Sequence, residues 1–307
     1  MGLIVLKKIT GMFLILFLGV LCYRKNFFDD NMISKLSGFL LTVVNPLVIF
    51  VSYQIEYDPA LLRNLLITLA LAGGSFAVQI ITVHLIVPQK GNADADIERL
   101  STIYGNCGFI GIPLINSLYG REGVFYMTAY LTMFYLFFWT HGVIIMAGKT
   151  DIKTTLKKLL SPAIIGVMLG LVCFVAKIRF PEVIISPMDS VGSMNTPLAM
   201  LVAGATLAQS DVSSCFGKRR TYWVTFLKLI LTPLIVIVIL LPFHVALEIA
   251  VTLIIAAGCP VGACCTMFAL KYKNDGRYAS SLFVVSTLFS VITIPLLILL
   301  TEQFIRL

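Results

Sequence analysis

Ten apolar runs, separated by short polar stretches, follow one another at about residues 9–23, 32–53, 64–87, 99–119, 123–147, 161–177, 184–208, 221–242, 244–271 and 278–304. Several approach the roughly 20 residues an α-helix needs to cross a hydrocarbon core about 30 Å thick. None alternates in the manner of a half-buried strand over a useful length. The pattern predicts an all-α polytopic membrane protein with ten transmembrane helices, forming one membrane domain over 1–307. The first and sixth runs are short, so their boundaries are the least sharply drawn.

The fourth run differs from the others. From Ser101 to Gly120 it is apolar enough to enter a bilayer, yet Gly105, Gly108 and Gly111 each lower helix propensity by roughly 1 kcal/mol relative to Ala. Pro113 lacks an N–H, which predicts that the carbonyl of Phe109 loses its helical partner. Lipid offers no substitute donor, so such a break survives only inside protein or beside a water-filled cavity. Asn106 stands at the break with an amide that both donates and accepts. A discontinuous helix that presents a polar site at mid-depth is a device of secondary transporters.

The chain also reads as doubled, with halves at about 1–148 and 155–307. The second run carries Val44-Asn-Pro-Leu47 and the seventh carries Asn195-Thr-Pro-Leu198, their prolines (Pro46 and Pro197) 151 residues apart. Gly11 and Gly166 open the first and sixth runs. Pro113 in the fourth run is answered by Gly258-Cys-Pro-Val-Gly262 in the ninth. Five helices per half is an odd number, so the halves must be inverted relative to each other. Matching interruptions in two such halves point to a transporter's binding site.

Composition and charge narrow the partners. The chain is 59% hydrophobic and 12% charged, against about a quarter charged in soluble domains. The net charge of +8 lies in short clusters between apolar runs, which fits membrane orientation and argues against nucleic acid. Fourteen Lys and Arg, including Lys153, Lys157, Lys158, Lys218, Arg219 and Arg220, fall in loops after odd-numbered runs. Seven, including Arg63, Arg121 and Lys177, fall on the other side, with Lys35 and Lys228 left inside helices. The positive-inside rule then places both termini outside the cytoplasm, and the plasma membrane is the location expected of a carrier. Lys7 and Lys8 precede an apolar run without an A-x-A site, which reads as a retained first helix. Of seven cysteines, all but Cys215 lie in apolar runs, and no CxxC pair occurs, so they read as small hydrophobes.

Asn106-Cys-Gly-Phe-Ile-Gly-Ile-Pro-Leu114, followed by Leu118-Tyr-Gly120, resembles the Asn…Gly-Ile-Pro-Leu…Tyr-Gly signature of the auxin efflux carrier family. Cys259-Pro-Val-Gly262 followed by Phe268-Ala-Leu-Lys-Tyr272 is similar to that family's second crossing helix. The resemblance spans essentially the whole chain. It implies a fold like that of the sodium/proton antiporter and bile-acid symporter superfamily, with helices four and nine crossing. Helices at 9–53 and 161–208 would form the scaffold, and those at 64–147 and 221–304 the part that moves in an elevator-type cycle. Only about a dozen residues separate runs five and six, so the chain resembles the short, bacterial-type members, associated with malate, malonate and related carboxylates. A sodium-coupled bile-acid-type organic anion symporter is the alternative within carriers.

Crossed, broken helices suit an organic anion because each new half-helix starts with unpaired N–H groups and a partial positive charge. Each such end contributes about 0.3–1 kcal/mol towards an anion, and up to about 2 when partly buried. Asn106 is the first candidate carboxylate donor, or a cap for a helix end, with Cys107 and Gly108 offering backbone N–H groups and Pro113 at the break. Cys259, Val261 and Gly262 would do likewise on the ninth run, with Pro260 freeing the carbonyl of Ala256. Asn45 and Thr196, each before a proline, are candidates for the scaffold side, or for hydrogen bonds between helices. Tyr104 either contacts substrate or packs. Cys264 and Cys265 read as packing residues, while Thr266 reads equally as ligand or packing. Lys228 is expected to snorkel. Asp189 reads as a solvated helix-end acid or a proton-sensitive gate, and His84 and His141 sit near helix ends. No HExxH, GxSxG or intramembrane acid pair is present, so neither an enzyme nor a metal or cofactor site is expected. The partners expected are a small organic anion and the bilayer. Proton or sodium coupling and a homodimer stay open.

Overall fold

The computed structural model describes residues 2–148, 160–210, 215–243, 245–272 and 274–305. The loop lysines 149, 153, 157 and 158, used above for orientation, lie outside them, as do Lys273 and Arg306. Eleven helices occur among the described residues: α1 (Gly2–Arg24), α2 (Asp30–Ser52), α3 (Pro59–Ile86), α4 (Ala95–Ile103), α5 (Cys107–Ala147), α6 (Pro162–Val175), α7 (Glu182–Ala208), α8 (Arg219–Leu240), α9 (Leu247–Gly258), α10 (Ala263–Lys271) and α11 (Gly276–Ile305). Six of them, α2, α3, α5, α7, α8 and α11, are long and apolar enough to cross a membrane. The chain is all-helical, and its extended pairing among these residues is a single isolated bridge.

The expected interruptions in runs four and nine are present. The fourth run is split between α4 and the start of α5, the ninth between α9 and α10. The first break lies at Tyr104–Asn106, however, upstream of Pro113. Pro113 is instead absorbed by a π-helical turn, Cys107–Gly111, that ends just before it. The same arrangement recurs at Leu40–Val44 before Pro46 and at Leu227–Leu231 before Pro233. Proline cannot donate to the residue four back and its ring crowds that carbonyl. One extra residue in the preceding turn relieves both problems without ending the helix. Later in α5, Gly120 takes φ +60°, a conformation that favours glycine, and kinks the helix between runs four and five.

Packing follows small residues and aromatic rings. Helix α1 lies along α7, where a Cβ on Gly19 or Gly204 would collide with the backbone of Leu201 or Leu16. Small residues permit such close approach in membranes. Helix α2 packs on α6 and α7, α3 on α5, and α9 and α10 on α11. Phe76, Tyr104, Tyr130, Phe134 and Phe138 form a buried aromatic cluster beside the first break. Large apolar side chains such as Leu14, Leu85, Val172 and Val183 remain on the outer faces, as lipid-facing surface requires.

One buried charge ties three helices together near the crossing. Glu98 on α4 is fully buried and accepts from Arg220 Nε at 2.7 Å and Nη2 at 2.8 Å. It also accepts from Tyr278 of α11 at 2.9 Å and Asn92 at 2.8 Å. A carboxylate in a dry interior persists only with this degree of satisfaction.

Candidate functional site at the crossing of two broken helices

The two breaks meet and bond to each other. Asn106 donates its backbone N–H to Pro260 O at 2.7 Å, and Gly262 donates to Tyr104 O at 3.1 Å. Gly105 and Val261 thus form an antiparallel bridge. Four helix ends converge there: the C-termini of α4 and α9 and the N-termini of α5 and α10.

The C-terminal pair is served by one side chain that sequence reasoning placed elsewhere. Lys228 does not snorkel to the interface; it is fully buried. Its Nζ donates to Ala257 O at 3.0 Å and Ile103 O at 3.5 Å, carbonyls at the C-terminal ends of α9 and α4. Thr232 Oγ1 also donates to Ala257 O, at 3.0 Å. An ammonium at two helix C-termini answers their partial negative charge, and the carbonyls replace its lost water. The glycine at 105 is required by this contact, since a Cβ would lie 3.0 Å from both Lys228 Nζ and Cys259 O.

The N-terminal pair faces space. A cavity of about 1630 Å³ is lined at its deep end by Gly105, Asn106 and Gly108, with Ala263, Cys264 and Thr266 across from them. Towards its mouth it is lined by Asp30, Gln209, Lys218, Lys271, Asp275 and Arg277. Lys218, Lys271 and Arg277 belong to the basic set on one side of the membrane, so the cavity opens on the Lys/Arg-rich side. Asn106 is 6% exposed; its side-chain amide has no partner among the described residues and lies on the cavity wall. Around Gly108 the space for a Cβ is open. Thr266 Oγ1 is enclosed without a hydrogen-bond partner among the described residues.

The remaining candidates separate clearly. Cys107 is buried at the first turn of α5. The N–H of Val261 is taken by Ser286 Oγ at 3.0 Å and that of Gly262 by Tyr104 O, and Cys259 and Val261 are fully buried. These residues build the crossing, and the amides of Val261 and Gly262 are already committed within the protein. Pro260 acts through its carbonyl. Pro113 offers its carbonyl to Thr196 Oγ1 at 3.5 Å, which joins α5 to α7. Asn45 accepts from Asn195 Nδ2 and ties α2 to α7; neither Asn45 nor Thr196 lines the cavity. Tyr104 packs: it is fully buried, and its hydroxyl meets Phe137 O and His141 Nδ1, both at 2.9 Å. Asp189 is paired with Arg121 at 2.8 Å.

The membrane transport protein family, of the auxin efflux carrier type, matches residues 4–298. The chain belongs to it. No curated protein matches the chain. Family membership makes this a membrane transporter and agrees with the crossing residues on which the resemblance was based. The cavity at the crossing is therefore the candidate transport site of a member of this family.

Proposed function

We propose that the protein is a secondary active transporter that moves small carboxylates, such as malate or malonate, across the plasma membrane. The observation that carries this reading is the pairing of two free helix N-termini and the Asn106 amide at the closed end of a cavity. Backbone N–H groups at helix starts favour a negative charge, and Asn106 supplies a directional donor. Lys228 lies behind the bonded breaks, where its charge adds to the field without occupying the N–H groups at the helix starts. This built-in cation stands at the helix C-termini that a bound metal cation could otherwise satisfy. It favours an anion carrier over a sodium-coupled symporter.

The movement is of the elevator type. Helices α1, α2, α6 and α7 act as the scaffold, and α3–α5 with α8–α11 carry the site. The two five-helix halves are inverted copies, with Asn45 and Thr196, each before a proline, as equivalent positions. The described conformation is inward-facing, with both termini outside. Away from the cavity mouth, the two groups are held together by Arg121–Asp189, Lys8 donating to Ser117 O, and Tyr53–Thr128 at 2.6 Å. Proteoliposomes loaded with unlabelled acid test the reading. Labelled malate or malonate should enter faster by counterflow, and equal entry with and without internal acid would contradict a carrier.

A further inference from the structure

Two of the three histidines stand together beside the crossing. His84, near the end of α3, and His141, in the π-helical turn Phe138–Gly142 of α5, have ring centroids 5.2 Å apart. His84 Nδ1 lies 2.9 Å from Ile80 O, a carbonyl that only accepts, so that nitrogen carries the hydrogen. The Tyr104 hydroxyl donates to Phe137 O, leaving its oxygen to accept from His141 Nδ1. Both neutral rings are thereby fixed in the same tautomer, with bare Nε2 atoms. His141 Nε2 is enclosed and unpartnered among the described residues. A buried imidazole nitrogen held open in this way costs free energy unless something binds there.

We propose that His84 and His141 form a site for one proton, carried with the anion-binding crossing and linking transport to pH. The inference rests on the transport reading above. A proton from water forms an N–H bond at Nε2 and gives one imidazolium. The neighbouring ring, about 5 Å away, then resists a second charge. The other ionisable groups facing the pair are Arg99 and Tyr104, both from the stretch that includes α4. Arg99 donates to Val87 O at 2.9 Å and Gln89 Oε1 at 2.5 Å and lies 4.0 Å from Asp96, and its charge, like that of a second imidazolium, opposes the proton on His141. Helix α10 presents Phe268 to the same turn.

The pair reaches the crossing through one residue. Tyr104 bonds His141 with its hydroxyl and receives the Gly262 N–H with its carbonyl, two positions before Asn106. Charging His141 strengthens its bond to Tyr104 and adds a positive charge to the body that carries the anion. The site lies at the end of α3 next to the 87–94 loop, where Asp94 approaches Lys218 at the cavity mouth. Protons therefore load from the side to which the cavity opens.

Nitrogen-15 NMR of the histidine rings in nanodiscs reads the site directly, because the chain has three histidines. On lowering the pH, His141 should take up its proton at Nε2, and that titration should move by at least about half a pH unit in His84→Gln. Titration of His141 unmoved by that change would overturn the pairing. In proteoliposomes, labelled malate uptake should depend on pH in the wild type and lose that dependence in His141→Gln. The same pH profile in both would overturn the link to transport. A wild type that moves no malate or malonate at any pH would count against the transport reading, while the ring titration still decides the proton site.

Discussion

Lys228 Nζ stands 3.0 Å from Ala257 O and 3.5 Å from Ile103 O, so one ammonium closes the C-terminal ends of two helices from different parts of the chain. Replacing it with methionine keeps the length and removes the charge. Lys228→Met should lower malate uptake at least about tenfold, since two helix ends and a full charge together exceed the 1.4 kcal/mol that a tenfold change requires. Protein that inserts normally and transports at the wild-type rate would exclude an electrostatic role.

Gly105 and Gly108 make opposite demands. At Gly105 a Cβ meets Cys259 O and Lys228 Nζ at 3.0 Å, whereas at Gly108 it meets open space. Gly105→Ala should cost about 1–3 kcal/mol through overpacking, and Gly108→Ala should leave folding unchanged. Thermal unfolding of both variants in detergent compares them. Equal stability would mean that the crossing is looser than its hydrogen bonds imply.

The Glu98 cluster predicts an asymmetry. Glu98 is buried while the Arg220 side chain is half exposed. Arg220→Met strands a carboxylate in the interior, a loss of about 3–5 kcal/mol. The double change with Glu98→Gln should recover part of that loss, because the stranded charge is gone. A double-mutant cycle by thermal unfolding measures it, and simple additivity would argue against the buried pair.

On the far side from the cavity mouth, Arg121 and Asp189 are both largely exposed. Such pairs contribute about 0–1 kcal/mol. Asp189→Asn should therefore shift the balance between inward- and outward-facing states by no more than about fivefold. Thiol labelling of a cysteine introduced at Ser34, on the cavity wall, should fall by no more than that factor in the variant. A complete loss of labelling would assign Asp189 a larger role.

Part of this site is legible in the chain, and the reasons differ by residue. Gly105, Asn106 and Gly108 mark the first break because glycine and asparagine in an apolar run violate helix propensity locally. Pro113 misleads, since a π-helical turn absorbs it and places the break seven residues or more upstream. Lys228 is a single lysine inside an apolar run, the same pattern that snorkelling produces. Only the crossing, which brings Ile103 and Ala257 to one point, distinguishes the two. Val261 and Gly262 stand at the crossing, but their amides go to Ser286 and Tyr104, partners no local pattern reveals. Glu98 and Arg220, 122 residues apart, are likewise a product of tertiary structure.

The central claim is that the Asn106 amide and the neighbouring helix starts hold the anion. Counterflow of labelled malate and malonate by Asn106→Ala in proteoliposomes tests it most directly. Uptake should fall to background while the variant inserts and unfolds like the wild type. Counterflow at the wild-type rate would show that the anion is held elsewhere.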